Sequence, residues 1–499
     1  MQTDSDPGHS DPIGDHMTGR ARPPLLARAL GIFTEVRDAE APTALLMALI
    51  GFVLLMAYYC VKPVREALIL AQPSGAEYKA YMAGASALIL SIAVPVYSRF
   101  SRNMPRNWLI TSVTLFFASN LIIFYGLGKA LGSSLTLALG FYAWIAVFNM
   151  MIVAQFWAFA NDLYREEAGK RLFPLIGLGA SVGAVAGSGA AKVVVGKIGA
   201  LGMMPLAAAL LVCSVFLTQW VHWREVKHGP CARLRECGTK PIGGTMGEAF
   251  RDVFTRRYLL LIAIFSLVFT LVKTNGDYLL ARIVKDHVAR AVDAGSLAPH
   301  NVQDYIGTFF AGFQLKIDIA SLAIQAFIVS RLVKFMGVRG AFFILPFIAL
   351  GDAAIMMFIP ALGAVTFGKS AESSVDYSLN NTLRGMLWLP TSRRAKYLAK
   401  QATDTFFVRT GDVISAGLVF VGIHAVGLSV RGFASVNALL VCVWLVLARS
   451  IVKEFVRLRE EPNGDDLAVA GGGPPEKGIG TGAIGEEGTD GRAMAGETE

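Results

Sequence analysis

The sequence predicts an all-α membrane protein of about twelve transmembrane helices in two six-helix halves. Three observations carry that expectation. Hydrophobic residues make up 54% of the 499 and charged residues only 17%, a balance too apolar for a soluble domain. Apolar runs recur at the length a membrane asks for, since a hydrocarbon core about 30 Å thick takes about 20 apolar residues of helix. Basic residues gather in every second loop, which is how membrane topology is written.

In chain order, residues 1–41 are polar, contain Gly and Pro, and lack the apolar stretch of a signal peptide, so they read as a disordered cytoplasmic tail. His9 and His16 in it have no regular metal-binding spacing. The N-terminal half, 42–222, holds apolar runs at 43–60, 79–98, 108–127, 136–160, 172–196 and 201–221. A linker, 223–257, carries Arg224, Lys227, Arg233, Arg235 and Arg251 among other cations, and so basic a loop stays cytoplasmic. The C-terminal half, 258–452, supplies runs at 258–281, 306–330, 338–359, 361–388, 403–425 and 432–450. Residues 453–499 are Gly-rich and acidic and read as a second disordered tail. Arg99, Arg102 and Arg106 after the second run, Arg165, Lys170 and Arg171 after the fourth, Arg331, Lys334 and Arg339 after the eighth, and Arg393, Arg394, Lys396 and Lys400 after the tenth share the linker's parity. Both termini are therefore expected on the cytoplasmic side. The net charge of +9 reads as orientation and not as affinity for nucleic acid.

An internal repeat supports the division. The first run closes in YYCVKPVREALIL (58–70) and the seventh in LVKTNGDYLLARIV (271–284), each passing from apolar residues through a cation and a carboxylate and back. NDLYREEAGKRLFPLIGLGASVG (161–183) after the fourth run and RGMLWLPTSRRAKYLAKQATDTFFVRTGD (384–412) after the tenth are both basic loops entering the next helix. Two six-helix halves in parallel repeat describe the major-facilitator architecture, whose substrate site lies near the midplane between the halves.

Charges within such helices need a reason, because each costs roughly 2.5–3.5 kcal/mol at the centre of a membrane helix on insertion scales. The candidates are Lys62, Arg65 and Glu66 in the first helix, Lys273, Asp277 and Arg282 in the seventh, Lys369, Glu372 and Asp376 in the tenth, and Asp404, Arg409 and Asp412 in the eleventh. Asp162, Lys192, Lys316, Asp318 and Asp352 complete the set. For any single residue, structural pairing or snorkelling to the headgroups is the competing explanation. Lys62 and Arg65 share a helical face at i, i+3, as do Lys369 and Glu372. Pro63 between the first two either disturbs the helix beside the cations or marks its end.

Other patterns are weighed the same way. Gly363 to Ser370 matches the GxxxxGK[ST] phosphate loop, yet that loop works between a strand and a helix of a soluble domain, and here it opens a membrane helix. Gly179, Gly183 and Gly187 at four-residue steps read as close helix packing. Tyr142, Trp144, Trp157 and Asn161 are candidates for stacking on a base, with anchoring at the bilayer interface as the alternative. The cysteines Cys60, Cys213, Cys231, Cys237 and Cys442 show neither a disulfide framework nor a zinc spacing.

Two segments carry a resemblance. QFWAFANDLY…EEAGKRLFPLIGLGASVG and YSL…KYLAKQATD…RTGD resemble the corresponding segments of the ATP/ADP (NTP/NDP) exchangers of bacteria and plastids, and the likeness covers most of residues 45–450. The resemblance implies a nucleotide carrier of a bacterial inner membrane, working without a cofactor and as a single chain, with ATP as cargo and not as fuel. It also implies four membrane charges. Arg65, Asp277 and Arg409 keep the sign at three of these places, while the fourth-helix place has no acid between Phe141 and Trp157. Lys62, Arg65, Lys369 and Arg409 are expected to receive phosphate oxygens, with Asp277, Glu372 and Asp404 as counter-charges. A proton-coupled symporter of another solute, titrating Asp277 or Glu372, is the alternative within transport. A non-transporting membrane sensor or assembly factor is the alternative outside it, and the phosphate-loop match motivates an ATP-hydrolysing pump.

Overall fold

A computed structural model describes residues 40–101, 104–164, 166–228, 246–391 and 398–460 of the chain. Nearly all of both expected tails, Cys231 and Cys237 in the linker, and the basic residues Arg102, Arg165, Arg393, Arg394 and Lys396 lie outside the described residues.

The N-terminal half is built from α1 (Ala41–Leu70), α2 (Gly75–Ser101), α3 (Arg106–Leu131), α4 (Leu135–Leu163), α5 (Glu166–Ile198) and α6 (Met203–His228). A short amphipathic helix, α7 (Met246–Thr255), follows within the linker and lays Phe250 and Phe254 against Phe406 and Phe407. The C-terminal half begins with α8 (Arg257–Asp293) and α9 (Val302–Ala323), the latter continuing through a π-turn at Ile324–Ile328 into Val329–Ala341. Gly337 breaks that last stretch at φ 65°, a left-handed conformation a glycine adopts without steric cost. Next come α10 (Ile344–Phe358) and α11, which runs Leu362–Val375, a π-turn at Asp376–Asn380 and Asn381–Met386. In α12, Lys400–Ala402 leads through a π-turn at Thr403–Phe407 into Val408–His424, and α13 (Val430–Glu460) ends the described chain.

Ten helices among the described residues are long and apolar enough to cross a membrane. The shorter apolar α10 and the more polar α11 complete the six-plus-six pattern. The runs read from sequence are generally shorter than the helices. α1 continues to Leu70 with Pro63 inside it, so Pro63 does not end the helix. A proline inside a helix forfeits a donor and crowds the carbonyl four residues back. Here Val61, Pro63, Val64, Ala67 and Leu68 are all buried, and their packing keeps the chain helical. α8 likewise extends to Asp293, and α13 carries helix past residue 453, where a tail was expected.

Within the halves, α1 packs on α5 and α6, and α8 packs on α13 and α12. Gly179, Gly183 and Gly187 of α5 make the first contact possible, because a Cβ at any of them would collide with the carbonyls of Ala48, Phe52 or Met56 on α1. The stripe is a packing device, as its spacing indicates. Gly363 to Ser370 lies within the continuous helix of α11 and forms no loop.

The halves meet along two seams, α2 against α12 and α8, and α5 and α1 against α9. The end of the molecule opposite the linker is also clasped by polar contacts. Arg282 of α8 pairs with Glu77 of α2, Lys285 of α8 bonds the carbonyl of Gln72, and Asp304 of α9 accepts the amide of Ala200 at 2.7 Å. One apolar core runs across both halves here, joining Leu68 and Ile69 of α1 to Leu279, Ile283 and Ile306. Toward the linker end a separate core, including Phe265, Leu345, Leu383 and Trp444, belongs to the C-terminal half.

Candidate functional site

Between the halves lies a cavity of about 530 Å³. Its N-terminal wall is made by α1, α2 and α4, and its C-terminal wall by α8, α9, α11 and α12. Six cations line it, Lys62, Arg65, Lys79, Lys273, Arg384 and Arg409, against four carboxylates, Glu66, Asp277, Asp404 and Asp412. The wall therefore carries an excess of positive charge.

On the N-terminal side, one carboxylate organises two cations. Glu66 Oε1 accepts from Arg65 Nη2 at 2.5 Å, and its Oε2 lies 2.8 Å from Lys79 Nζ. The Arg65 guanidinium sits 4.5 Å from the centre of the Tyr142 ring, a cation–π contact that holds its fork in one plane. Lys62, one turn earlier on α1, donates to Gln314 Oε1 of α9 at 2.8 Å and so reaches across to the other half. Gln314 in turn donates to Asp318, which accepts from Ser188 of α5 at 2.9 Å.

On the C-terminal side the pairs are more open. Lys273 Nζ lies 2.6 Å from Asp376 Oδ2 and 4.9 Å from the Tyr377 ring centre. Both partners sit at the start of the π-turn in α11, where one extra residue in the turn shifts the helical register. Asp412 accepts from Thr274 at 2.9 Å and stands 3.7 Å from Arg409. Arg384 and Asp404, 3.5 Å apart, are nearest the linker end, and Asp404 occupies the π-turn of α12. The Glu66 side chain is 5% exposed and that of Asp404 48%, while Asp277 in the C-terminal wall reaches 44% from within the cavity. The cavity opens toward the linker end and is shut at the clasped end.

Of the residues singled out by sequence, Lys62, Arg65, Asp277, Asp404 and Arg409 line the cavity. Lys369 and Glu372 do not. Both are buried behind Asp277, with Lys369 Nζ 2.9 Å from Glu372 and 3.4 Å from Asp277. Asp277 and Glu372 thus pair with an expected cation, whereas Asp404 meets Arg384 and Arg409 meets Asp412. Lys192 and Lys316 lie at exposed positions away from the cavity. Among the aromatics, Tyr142 lines the cavity, whereas Trp144 stacks between Phe141 and Phe148 in the core and Trp157 packs on Phe173. Lys79, Tyr58, Tyr377 and Gln314 escaped the sequence reading. Lys79 is the first residue of its apolar run and looks like a helix end, so only its neighbour Glu77 hinted at a polar turn.

Residues 141–455 match the model of the TLC ATP/ADP transporter family. The chain belongs to this family. It is a multi-pass membrane carrier and not an enzyme. The carrier is 24% identical to ADP,ATP carrier protein 1 of Chlamydia trachomatis, over 84% of this chain and 89% of that one, and 24% identical over the same shares to its namesake in Chlamydia muridarum. Among solved structures the carrier shares its fold with the nucleoside transporter NupG (D323A mutant), at TM-score 0.56 and 12% identity over 83% of this chain and 99% of that one. A bacterial homologue of the human lysosomal transporter Spinster, solved in an inward-facing and unoccupied conformation, also gives TM-score 0.56, with 12% identity over 86% and 100%. These likenesses show that the carrier has a major-facilitator-like fold.

Proposed function

We propose that this carrier exchanges ATP for ADP across a bacterial inner membrane by alternating access of the cavity between its halves. The observation that carries the reading is the cavity itself, with six cations and four carboxylates in its wall. Nucleotide phosphates need several donors at once. Arg65 and Arg409 offer bidentate forks, and Lys62, Lys79 and Lys273 offer point charges around the same space. Tyr58, Tyr142 and Tyr377 present aromatic faces on which a base can stack. A volume of about 530 Å³ lies within the range of small-molecule sites. Membership of the family and the names of the chlamydial relatives support the same cargo.

Exchange follows from the charge in the wall. Carrying unbalanced charge through the membrane field costs about 2.3 kcal/mol per charge per 100 mV, so reorientation is favoured when an anion is bound. The linker end is the cytoplasmic one in this reading, because basic loops such as Arg331, Lys334 and Arg339 lie there. The functional unit is one chain, since both walls come from it. Lys369 and Glu372 act in this reading through Asp277 and not by touching phosphate.

The test is uptake of labelled ATP into proteoliposomes with and without internal ADP, beside Arg65→Gln and Arg65→Lys. Uptake that requires internal nucleotide, collapses in Gln and partly survives in Lys is the expected result. Absence of uptake under every loading overturns adenine-nucleotide exchange.

A further inference from the structure

Behind the C-terminal wall lies a buried group of charges that the cavity does not use directly. Lys369 of α11 has a side chain only 1% exposed, and it bridges Glu372 on its own helix and Asp277 on α8. Its Nζ lies over Gly276, where a Cβ would stand 2.6 Å away. A second glycine admits a third carboxylate. Asp352 of α10 faces Glu372, and a Cβ at Gly368 would collide with Asp352 Oδ1. Asp352 is 3% exposed, and that Oδ1 makes no hydrogen bond.

Three carboxylates therefore gather around the Lys369 ammonium, and of these only Asp277, on the cavity side, is also near the cations Lys79 and Lys273. The groups facing Asp352 are Glu372 and Lys369 from α11 and Asp277 from α8, while Asn437 of the neighbouring α13 is neutral and bonded to Asn275 at 3.1 Å. Two carboxyl groups that share a site do not both ionise, and a buried oxygen without a donor is costly. A proton on Asp352 relieves both problems by turning an orphaned acceptor into a donor toward Glu372. No group of carboxylate, His and Cys side chains among the described residues converges as a metal site does. Asp277 connects the group to water, since its side chain is 44% exposed and lines the cavity.

We propose that Asp352 and Glu372, linked through Lys369 to Asp277, form a proton-binding site that is loaded when ATP occupies the cavity and empty when the less charged ADP does. The coupling rests on the carrier reading above and is electrostatic. Negative charge arriving beside Asp277 favours a proton on the carboxyl pair behind it, and by linkage the proton favours the anion in return. ATP carries one more negative charge than ADP. Influx of ATP against efflux of ADP then brings protons inward, taken from the outer medium by the carboxyl pair and released in the lumen with the cargo, whereas ADP-for-ADP exchange moves none on balance.

Labelled-nucleotide exchange and lumenal pH are to be read together in proteoliposomes holding a trapped pH dye, with the membrane potential clamped. The wild-type carrier is expected to acidify the lumen during ATP-for-ADP exchange and not during ADP-for-ADP exchange. Asp352→Asn, outside the cavity wall, is expected to keep exchange and lose the acidification. Exchange without any pH change in the wild type overturns the proton site, whether or not the variant folds. Acidification that persists in Asp352→Asn overturns the assignment to Asp352. No exchange at all counts against the carrier reading and leaves no cargo for a proton to follow, so it overturns both.

Discussion

The two walls of the cavity solve one problem in different ways. Both must keep several cations in a membrane domain. The N-terminal wall does so with uninterrupted helices and a compact triad in which Glu66 serves both Arg65 and Lys79, with side-chain exposures of 5%, 18% and 12%. The C-terminal wall uses separate and more exposed pairs, Lys273 with Asp376 and Arg384 with Asp404, with Lys273 at 31% and Asp404 at 48%. Its α9, α11 and α12 each contain a π-turn. Depth explains the contrast. The triad side chains are the less exposed and hold fixed partners, while Lys273, Arg384 and Asp404 are more exposed and solvent supplies part of their stabilisation. The wall with the shared carboxylate is thus the one a phosphate must rearrange most, and the more exposed wall is the one it meets first.

The largest expected effect comes from breaking the triad. Glu66→Gln removes the carboxylate, itself buried, that two half-buried cations share, and loss of one partner from a buried ion pair costs up to about 3–5 kcal/mol. Thermal unfolding of the purified carrier should show a large drop, whereas Asp404→Asn on the more exposed wall should move it little. Equal shifts for the two would erase the distinction drawn between the walls.

Next in size is the contact between α1 and α5. Gly183→Ala places a methyl group against the Phe52 carbonyl, and forcing an extra carbon into a packed contact costs about 1–3 kcal/mol. Gly417 of α12 has nothing within 4 Å of a Cβ and serves as the control, where alanine should be neutral.

Smaller still is the effect expected at the mouth. Arg384→Gln should raise KM for nucleotide and leave kcat close to wild type, because a cation met early contributes mainly to capture. The defect should shrink as salt rises. A fall in kcat without a change in KM would place Arg384 with the deep cations instead.

The smallest stability change belongs to the clasp. Arg282→Ala removes a half-exposed pair worth no more than about 1 kcal/mol. Its readout is access and not unfolding: a cysteine at the buried lining position Ala80 should react faster with a reagent supplied from the clasped side. Unchanged labelling would show that the apolar core across the halves keeps that end shut without the ion pair.

Much of this was legible in the chain. Apolar length and loop charge fix where helices cross and how they are grouped, because partition into a membrane is decided locally, one segment at a time. The glycine stripe of α5 was readable for the same reason, since its spacing places all three residues on one face of a single helix. Charges within the helices marked Lys62, Arg65, Asp277, Asp404 and Arg409 as unusual, and these do line the cavity. The tertiary structure decided who meets whom. Lys369 and Arg409 looked alike as cations in adjacent polar helices, yet one is buried against Glu372 and Asp277 behind the wall and the other stands within it. Lys79 and Arg384 looked like ordinary helix-end charges until α2 and α11 set them against Glu66 and Asp404. A charge's role depends on partners far away in sequence and on its depth from water, and both are set only when the two halves pack.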